Sequence, residues 1–362
     1  MIKVFHIISH FDIGGAERVA VNIAKSKSDG FEYHVVEVIK SSSDYRRNMI
    51  NEMKELNIHY HCSPIPNNKL AIVLFPFWFV WLYLRKRPQI IHTHTEVPDL
   101  AIYIFYNFFF WIGIKSKFIR TIHNNQLWNS WEKIGEKVEK FYIRNHSNIV
   151  ISKSTQNSYR RIYGELCPIV YNGLDVVQQK SFEGIKVGKI NVLYAARLEY
   201  QKCPEILAEV IREMQYKEHL YFHIIGDGSM RDFLLSKLEG CNNYSYYNKV
   251  YGLSSYLSSF DYLFMPSKFE GLALMPIEAS FAKVPSIIND CLGLADTLPD
   301  DWPLKVNDND LNAYKRIFNS LEKNKNLGEI AYKFATEHFA MKQMQKQYEE
   351  IYEKKWEIMC TF

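Results

Sequence analysis

Residues 262–280 read YLFMPSKFEGLALMPIEAS, and the fold follows from how that stretch is punctuated. Tyr262–Met265 is a short apolar run stopped by Pro266, the pattern of a buried strand. A polar loop follows, and the apolar spacing after Gly271 predicts a helix start. A strand handed directly to a helix is half of a βαβ unit, so the sheet is parallel with helices on its faces. Two acids flank the turn. Glu270 lies on the loop at the strand's C-terminal end, where open α/β sheets hold ligands. Glu278 falls about two turns into the helix. Backbone N–H groups of Leu272, Ala273 and Leu274 are expected to be free at the helix start and to face a ligand. A carboxylate at Glu278 can accept from both hydroxyls of a ribose, and one at Glu270 can hold sugar hydroxyls. Two acids eight residues apart usually mean only a charged helix surface. The preceding strand, Gly271 and the apolar filling single these two out.

The same alternation runs outward on both sides. Upstream, residues 190–195 form a strand that opens into Ala196-Arg197-Leu198-Glu199-Tyr200-Gln201-Lys202, and 204–214 form a helix. Two cations after a strand can hold a diphosphate leaving group as it gains charge, without a metal. A strand over 220–225 ends at Gly226-Asp227-Gly228, and a helix over 229–238 follows. Val250, in Lys249-Val250-Tyr251-Gly252, is placed to read a base or ribose edge through its backbone. Asp308-Asn309-Asp310 has the D-x-D form of a metal-diphosphate site, but it precedes a helix, so Asp310 reads as an N-cap and no metal is expected.

An earlier series of strands covers residues 4–9, 33–39, 90–93, 118–122 and 148–152. The pattern restarts after residue 180, so two Rossmann-like domains are expected at 1–177 and 178–340, with a helix over 341–362 packing back on the first. After the first strand come Gly14 and Gly15, within Asp12-Ile13-Gly14-Gly15-Ala16-Glu17-Arg18. They allow close backbone approach to a phosphate or sugar but lack the G-x-G-x-x-G spacing of a dinucleotide site. His123 ends another strand, and His94 and Glu96, in His92-Thr93-His94-Thr95-Glu96, follow a third. Each is a candidate beside donor or acceptor; the competing reading is a structural role for the histidines and no ligand for Glu96.

Residues 1–180 carry 23 Lys and Arg against 15 Asp and Glu, whereas the remainder carries 21 against 25. A basic first half suits an anionic partner such as a lipid surface or lipid diphosphate. No helix-turn-helix, zinc-finger or aromatic RNA-platform motif accompanies it, so nucleic acid is not expected as a partner. Two apolar stretches, 70–84 and 100–114, are each 15 residues, too short to span a bilayer, and each is followed by basic residues. They fit buried helices as well as partial insertion at a membrane face. The six cysteines are scattered, so neither a disulfide framework nor a zinc site is expected. The opening residues MIKVFHIISHF lack the long apolar region and small-residue cleavage site of a signal peptide, so none is expected.

Taken in order, these motifs resemble the bacterial glycosyltransferases of family four, a large retaining group with the GT-B fold that includes O-antigen and capsule enzymes. The resemblance covers nearly the whole chain. It implies an α/β fold of two doubly wound domains facing a central cleft. Glu278 is then the ribose-binding carboxylate, Glu270 and His123 meet the donor sugar, and Arg197 and Lys202 hold the diphosphate. Gly14 and Gly15 contact donor phosphate or acceptor, and the loop at Gly226 borders the nucleotide base. The resemblance further implies a UDP-sugar donor, no cofactor, and a polyprenyl-diphosphate-linked saccharide as acceptor, at the inner face of the cytoplasmic membrane. Ala196 and Cys203 depart from the family's pattern, standing where glycines are usual. A non-catalytic sugar-nucleotide-binding protein, or an epimerase or hydrolase on the same scaffold, is the alternative.

Overall fold

A computed structural model describes residues 1–11, 15–129 and 131–360. The chain divides into two units, Met1–Gly173 with Met341–Phe362, and Leu174–Ala340. The first holds strands β1 (Ile2–Ile8), β2 (Phe31–Glu37), β3 (His59–Cys62), β4 (Ile90–Thr93), β5 (Lys117–Ile122) and β6 (Asn148–Val150). Helices α1 (Gly15–Ala24), α2 (Asp44–Glu55), α3 (Asn68–Lys86), α4 (Glu96–Phe109), α5 (Glu132–Arg144) and α6 (Lys153–Tyr163) connect them. All pairings are parallel, in the order β3-β2-β1-β4-β5-β6. The chain leaves β1 toward one edge and later crosses to β4 on its other side. The strand direction of travel therefore reverses between β1 and β4, and ligands of such sheets bind outside the C-terminal ends of those strands.

Local chemistry sets the helix bounds. Asn67 caps α3, its Oδ1 accepting from the N–H groups of Lys69 and Leu70, both at 3.1 Å. Arg87 closes that helix in the left-handed conformation (φ 49°), directly before Pro88. Ser152 caps α6, and Gly164 ends it at φ 78°. Between α4 and α5 the sheet buries a charged trio. Arg120 donates to Asp99 at 2.7 Å and to Glu139 at 2.8 Å. Burial pushes the Asp99 carboxyl up to about 7, against the pull of Arg120.

The second unit holds β7 (Ile190–Ala195), β8 (Leu220–Ile225), β9 (Tyr244–Tyr247), β10 (Tyr262–Met265), β11 (Ser286–Asn289) and β12 (Lys305–Val306). Its helices are α7 (Pro204–Glu213), α8 (Arg231–Lys237), α9 (Leu274–Phe281), α10 (Leu311–Asn319) and α11 (Lys325–Phe339). Its sheet, also parallel, runs β12-β11-β10-β7-β8-β9, with the reversal between β7 and β10. Leu207, Ile211, Tyr314 and Phe318 cover one face, and Leu257, Ala279 and Val284 pack on the other.

Helix α12 (Met341–Cys360) belongs to the first unit. Met344, Tyr348 and Tyr352 enter its core beside Val19 and Val35. Tyr352 OH bonds His92 Nδ1 at 2.8 Å, and Tyr348 OH bonds Thr121 Oγ1 at 2.8 Å. Asp310 caps α10, its side chain accepting from Asn312 N at 2.9 Å, as read from the D-x-D. Strands β3, β9 and β12 have no counterpart in the sequence reading. The helix that carries Glu278 begins at Leu274, so Glu278 sits just over one turn in rather than two. The apolar stretches form α3 and α4, the latter continued by a 3-10 turn over Phe110–Ile112. No helix among the described residues is long and apolar enough to cross a membrane.

Candidate functional site

In the second unit, four loops meet at the C-terminal ends of the strands around the β7/β10 reversal. After β7, Tyr200–Lys202 form one 3-10 turn and Cys203 takes the left-handed conformation at φ 53°. Pro204 then opens α7 with its fixed φ. Cys203 is fully buried and receives a hydrogen bond from Asn309 Nδ2 at 3.5 Å. This backbone region is where glycine is the easiest residue, which is the physical content of the departure at that position.

The turn directs Lys202 into an ion pair with Glu270, on the loop after β10, with both side chains mostly buried. Gln201 ties the same two loops. Its Nε2 donates to Phe269 O at 2.7 Å, and its carbonyl accepts from Lys268 N at 2.9 Å. The loop after β8 is fastened to the first of these. Leu198 N donates to Asp227 O at 2.9 Å, and Glu199 accepts from Ser229 N and Oγ at 3.0 and 2.6 Å. Gly226 allows the approach: at φ 150°, a Cβ there would sit 1.9 Å from Ala196 O. Its own N–H and carbonyl are spent on Tyr247 O and Tyr246 OH. The loop after β11 closes the set. Glu270 N donates to Leu292 O, and Ala273 N to Gly293 O, both at 2.9 Å. The two hydrogen bonds from Ser229 hold the Glu199 carboxyl below its usual range, with a smaller contribution from the charge of Arg197, which is exposed on the first loop.

That last bond corrects one expectation. The Ala273 N–H is not free, because the chain turns back at Gly293 and offers it a carbonyl. Leu272 and Gly271 lead into the cap, and Leu274 is the first helical residue. Pro276, in the first turn, has no N–H to offer. Glu278 lies on α9 in a separate contact. Its Oε2 accepts from Ser254 Oγ at 2.8 Å, leaving Oε1 without a partner among the described residues. Burial pushes its carboxyl above the usual range, and the Ser254 hydroxyl opposes that shift. Val250 packs with Leu253 and Met275 on the same side of the sheet. Ser254 and Gly293 carry no motif, and the sequence reading did not find them.

In the first unit, Gly14 lies outside the described residues. Gly15 is the first residue of α1, and among the described residues nothing beyond its chain neighbours and its own helix backbone lies within 4 Å of where a Cβ would be. Glu17 and Arg18 are occupied internally, Glu17 accepting from Ser9 Oγ at 2.6 Å and Arg18 pairing with Glu52 at 2.6 Å. His94 is buried beyond β4, its Nε2 bonded to His6 Nδ1 at 2.9 Å. His123 follows β5, its ring 5.8 Å from that of His94. His94 Nδ1 and His123 Nε2 have no hydrogen-bond partner among the described residues. Burial lowers His123 to about 4 and His94 well below its usual value. Both are therefore neutral near pH 7, able to bond hydroxyls but not to neutralise a phosphate. Glu96 begins α4 and lines a cavity of about 430 Å³ with Lys69, Val97, Leu100, Trp128 and Trp131.

Two parallel six-stranded α/β sheets, with loops of this composition at the reversal point of the second, define a glycosyltransferase of the GT-B fold. The family described as glycosyl transferases group 1 matches residues 176–338, and that described as Glycosyltransferase Family 4 matches 13–178. The chain belongs to these glycosyltransferases. It is 25% identical, over 77% of its length and 79% of the relative's, to the capsular polysaccharide biosynthesis glycosyltransferase CapH of Staphylococcus aureus. It is 22% identical, over 78% of each chain, to a Campylobacter jejuni α-1,4-N-acetyl-D-galactosaminyltransferase whose name specifies a saccharide on PP-undecaprenol. Among solved structures, Anabaena Alr3699/HepE in complex with UDP superposes with a TM-score of 0.77 at 14% identity, covering 98% of this chain and all of that one.

Proposed function

We propose that the chain transfers a hexose or N-acetylhexosamine from a UDP-sugar to a polyprenyl-diphosphate-linked saccharide, with retention and an α linkage, during capsule or O-antigen assembly. The observation that carries this is the Lys202–Glu270 pair at the β7/β10 reversal; the α9 carboxylate Glu278, held by Ser254, is a second acid of the same unit. The Anabaena neighbour was solved with UDP and the Campylobacter relative acts on a lipid-linked saccharide, and both support the choice of donor and acceptor.

Each residue then has a role. Glu278 accepts the ribose hydroxyls with its unpartnered oxygen. Glu270 turns from Lys202 to hydroxyls of the donor sugar, and the released ammonium, with Arg197, meets the diphosphate. The C1–O bond to UDP breaks, and its electrons go to the phosphate oxygen, where the two cations stabilise the growing charge. The acceptor hydroxyl forms the new bond on the face UDP leaves, and its proton passes to that oxygen. His123 bonds the donor sugar as a neutral imidazole. His94 and Glu96 serve the acceptor, and the Trp-lined cavity beside Glu96 takes its apolar part. No step requires a metal. The protein works peripherally on the inner face of the cytoplasmic membrane.

The test is transfer itself. The chain is incubated with a panel of UDP-hexoses and UDP-N-acetylhexosamines and a polyprenyl-diphosphate saccharide. Products are weighed by mass spectrometry and the linkage is read by NMR. An α-linked product is expected, with kcat lowered about 10²–10³-fold in Arg197→Ala and Lys202→Ala. Full turnover in both variants would contradict the assignment. Sugar release without acceptor elongation would indicate a hydrolase, and donor binding without turnover a binding protein.

A further inference from the structure

We propose that Glu32, His34 and His59 form a binding site for a divalent metal of the zinc class at the edge of the first unit's sheet. Strand periodicity builds the cluster. Glu32 and His34 are two apart on β2 and share a face, and His34 is the register partner of His59 on β3. His34 Nε2 lies 2.8 Å from Glu32 Oε1, and His59 Nε2 lies 3.7 Å from that oxygen. The three ligand atoms all fall within 4.8 Å of one another. Ligands of a tetrahedral zinc at roughly 2.0–2.1 Å stand about 3.3 Å apart, so modest rotations complete the shell. His59 is 53% exposed and has room to make them, and its open side leaves the remaining position to water.

The surroundings support coordination through His34 Nε2. In the metal-free chain His34 Nε2–H donates to Glu32 Oε1; when a metal takes the place of that proton, His34 carries its remaining proton on Nδ1 and donates it to His61 Nε2, 2.9 Å away, which leaves Nε2 as the ligand. Metal-bound histidines are ordinarily oriented by such a second partner. Phe5 packs against both rings, with centroids 4.7 Å from His34 and 6.0 Å from His61. One charge opposes the site: Lys3 Nζ is 3.8 Å from Glu32 Oε2 and competes for the carboxylate.

A second histidine group, His6, His92 and His94, is equally compact but fully buried. His92 spends both nitrogens, on Tyr352 OH and Thr121 Oγ1, and His6 is bonded to His94, so that group holds α12 and the sheet together. The Glu32 cluster sits at the N-terminal ends of β2 and β3, the opposite end of the sheet from His94 and His123. A metal there clamps the four-residue edge strand β3 to β2 and takes no part in sugar transfer. The inference is therefore independent of the proposed activity.

Equilibrium dialysis of the intact chain against micromolar Zn²⁺, with metal counted by mass spectrometry, tests it, and Co²⁺ absorption reports the geometry. One Zn²⁺ per chain is expected, with tetrahedral Co²⁺ bands. Affinity should fall at least about tenfold in His59→Ala and in Glu32→Gln, the scale on which even an outer partner is felt. It should tighten in Lys3→Met and stay unchanged in His219→Ala. Zn²⁺ should raise the Tm of the wild type and not of His59→Ala, whose folding is checked by circular dichroism. No stoichiometric binding by the wild type, or wild-type affinity in both ligand variants, would overturn the proposal.

Discussion

Glu278 is mostly buried, and its one protein partner is a neutral hydroxyl from Ser254. Burial therefore raises its carboxyl, because nothing nearby compensates the charge. Ribose hydroxyls donating to it would favour the ionised form and lower its pKa again, so donor binding should release a proton. UDP affinity is then expected to weaken as the pH falls through the range above an ordinary glutamate's value, and Glu278→Gln should flatten that dependence. Titrations across pH settle this, and equal slopes in both proteins would contradict the role. Lys202 and Glu270 were legible as charged residues on loops after strands, but not as a pair, because pairing depends on the turn that Cys203 closes at φ 53°. Ser254 was not legible, since a serine among serines carries no signal of its own. The Ala273 N–H was misread because its acceptor, Gly293 O, lies 20 residues onward on another loop.

At the scale of elements, α3 is apolar on both faces. Ala71, Ile72, Phe75, Phe79 and Leu82 are buried, while Leu70, Val73, Leu74, Phe77, Trp81 and Leu84 are exposed. Because the sequence is hydrophobic all round, its periodicity favoured neither burial nor insertion. Phe77 meets Phe108 and Phe109 of α4, and Phe108, Phe110 and Trp111 extend the exposed surface. Lys69 and Arg85, Lys86 and Arg87 stand at its two ends. Such a face suits an anionic membrane surface. The wild type is expected to co-sediment with phosphatidylglycerol vesicles, less so at high salt, and Phe77→Glu with Trp81→Glu should abolish it. Binding unaffected by both changes would assign the face another role. Strands β3 (HYHC) and β9 (YSYY) escaped notice because they are polar or aromatic edges rather than apolar runs. Yet the alternation that hid β3 is what places His59 beside His34.

For the whole molecule, the fold was legible because strand–helix alternation occurs twice, and each set forms a parallel sheet with one reversal of strand order. The charges divide likewise, with the surplus of basic residues in the half that carries α3 and α4. The proposed nucleotide contact, Glu278, lies in the second unit, whereas His123 and the acceptor and membrane contacts lie in the first, so the nucleotide claim can be isolated in a single experiment. Calorimetric titration of UDP into the wild type and Glu278→Ala measures it most directly. Loss of a charged acceptor for two hydroxyls costs about 1.5–3 kcal/mol per bond, so affinity should fall at least about tenfold. Equal affinity in the two proteins, or no UDP binding by the wild type, would contradict the account.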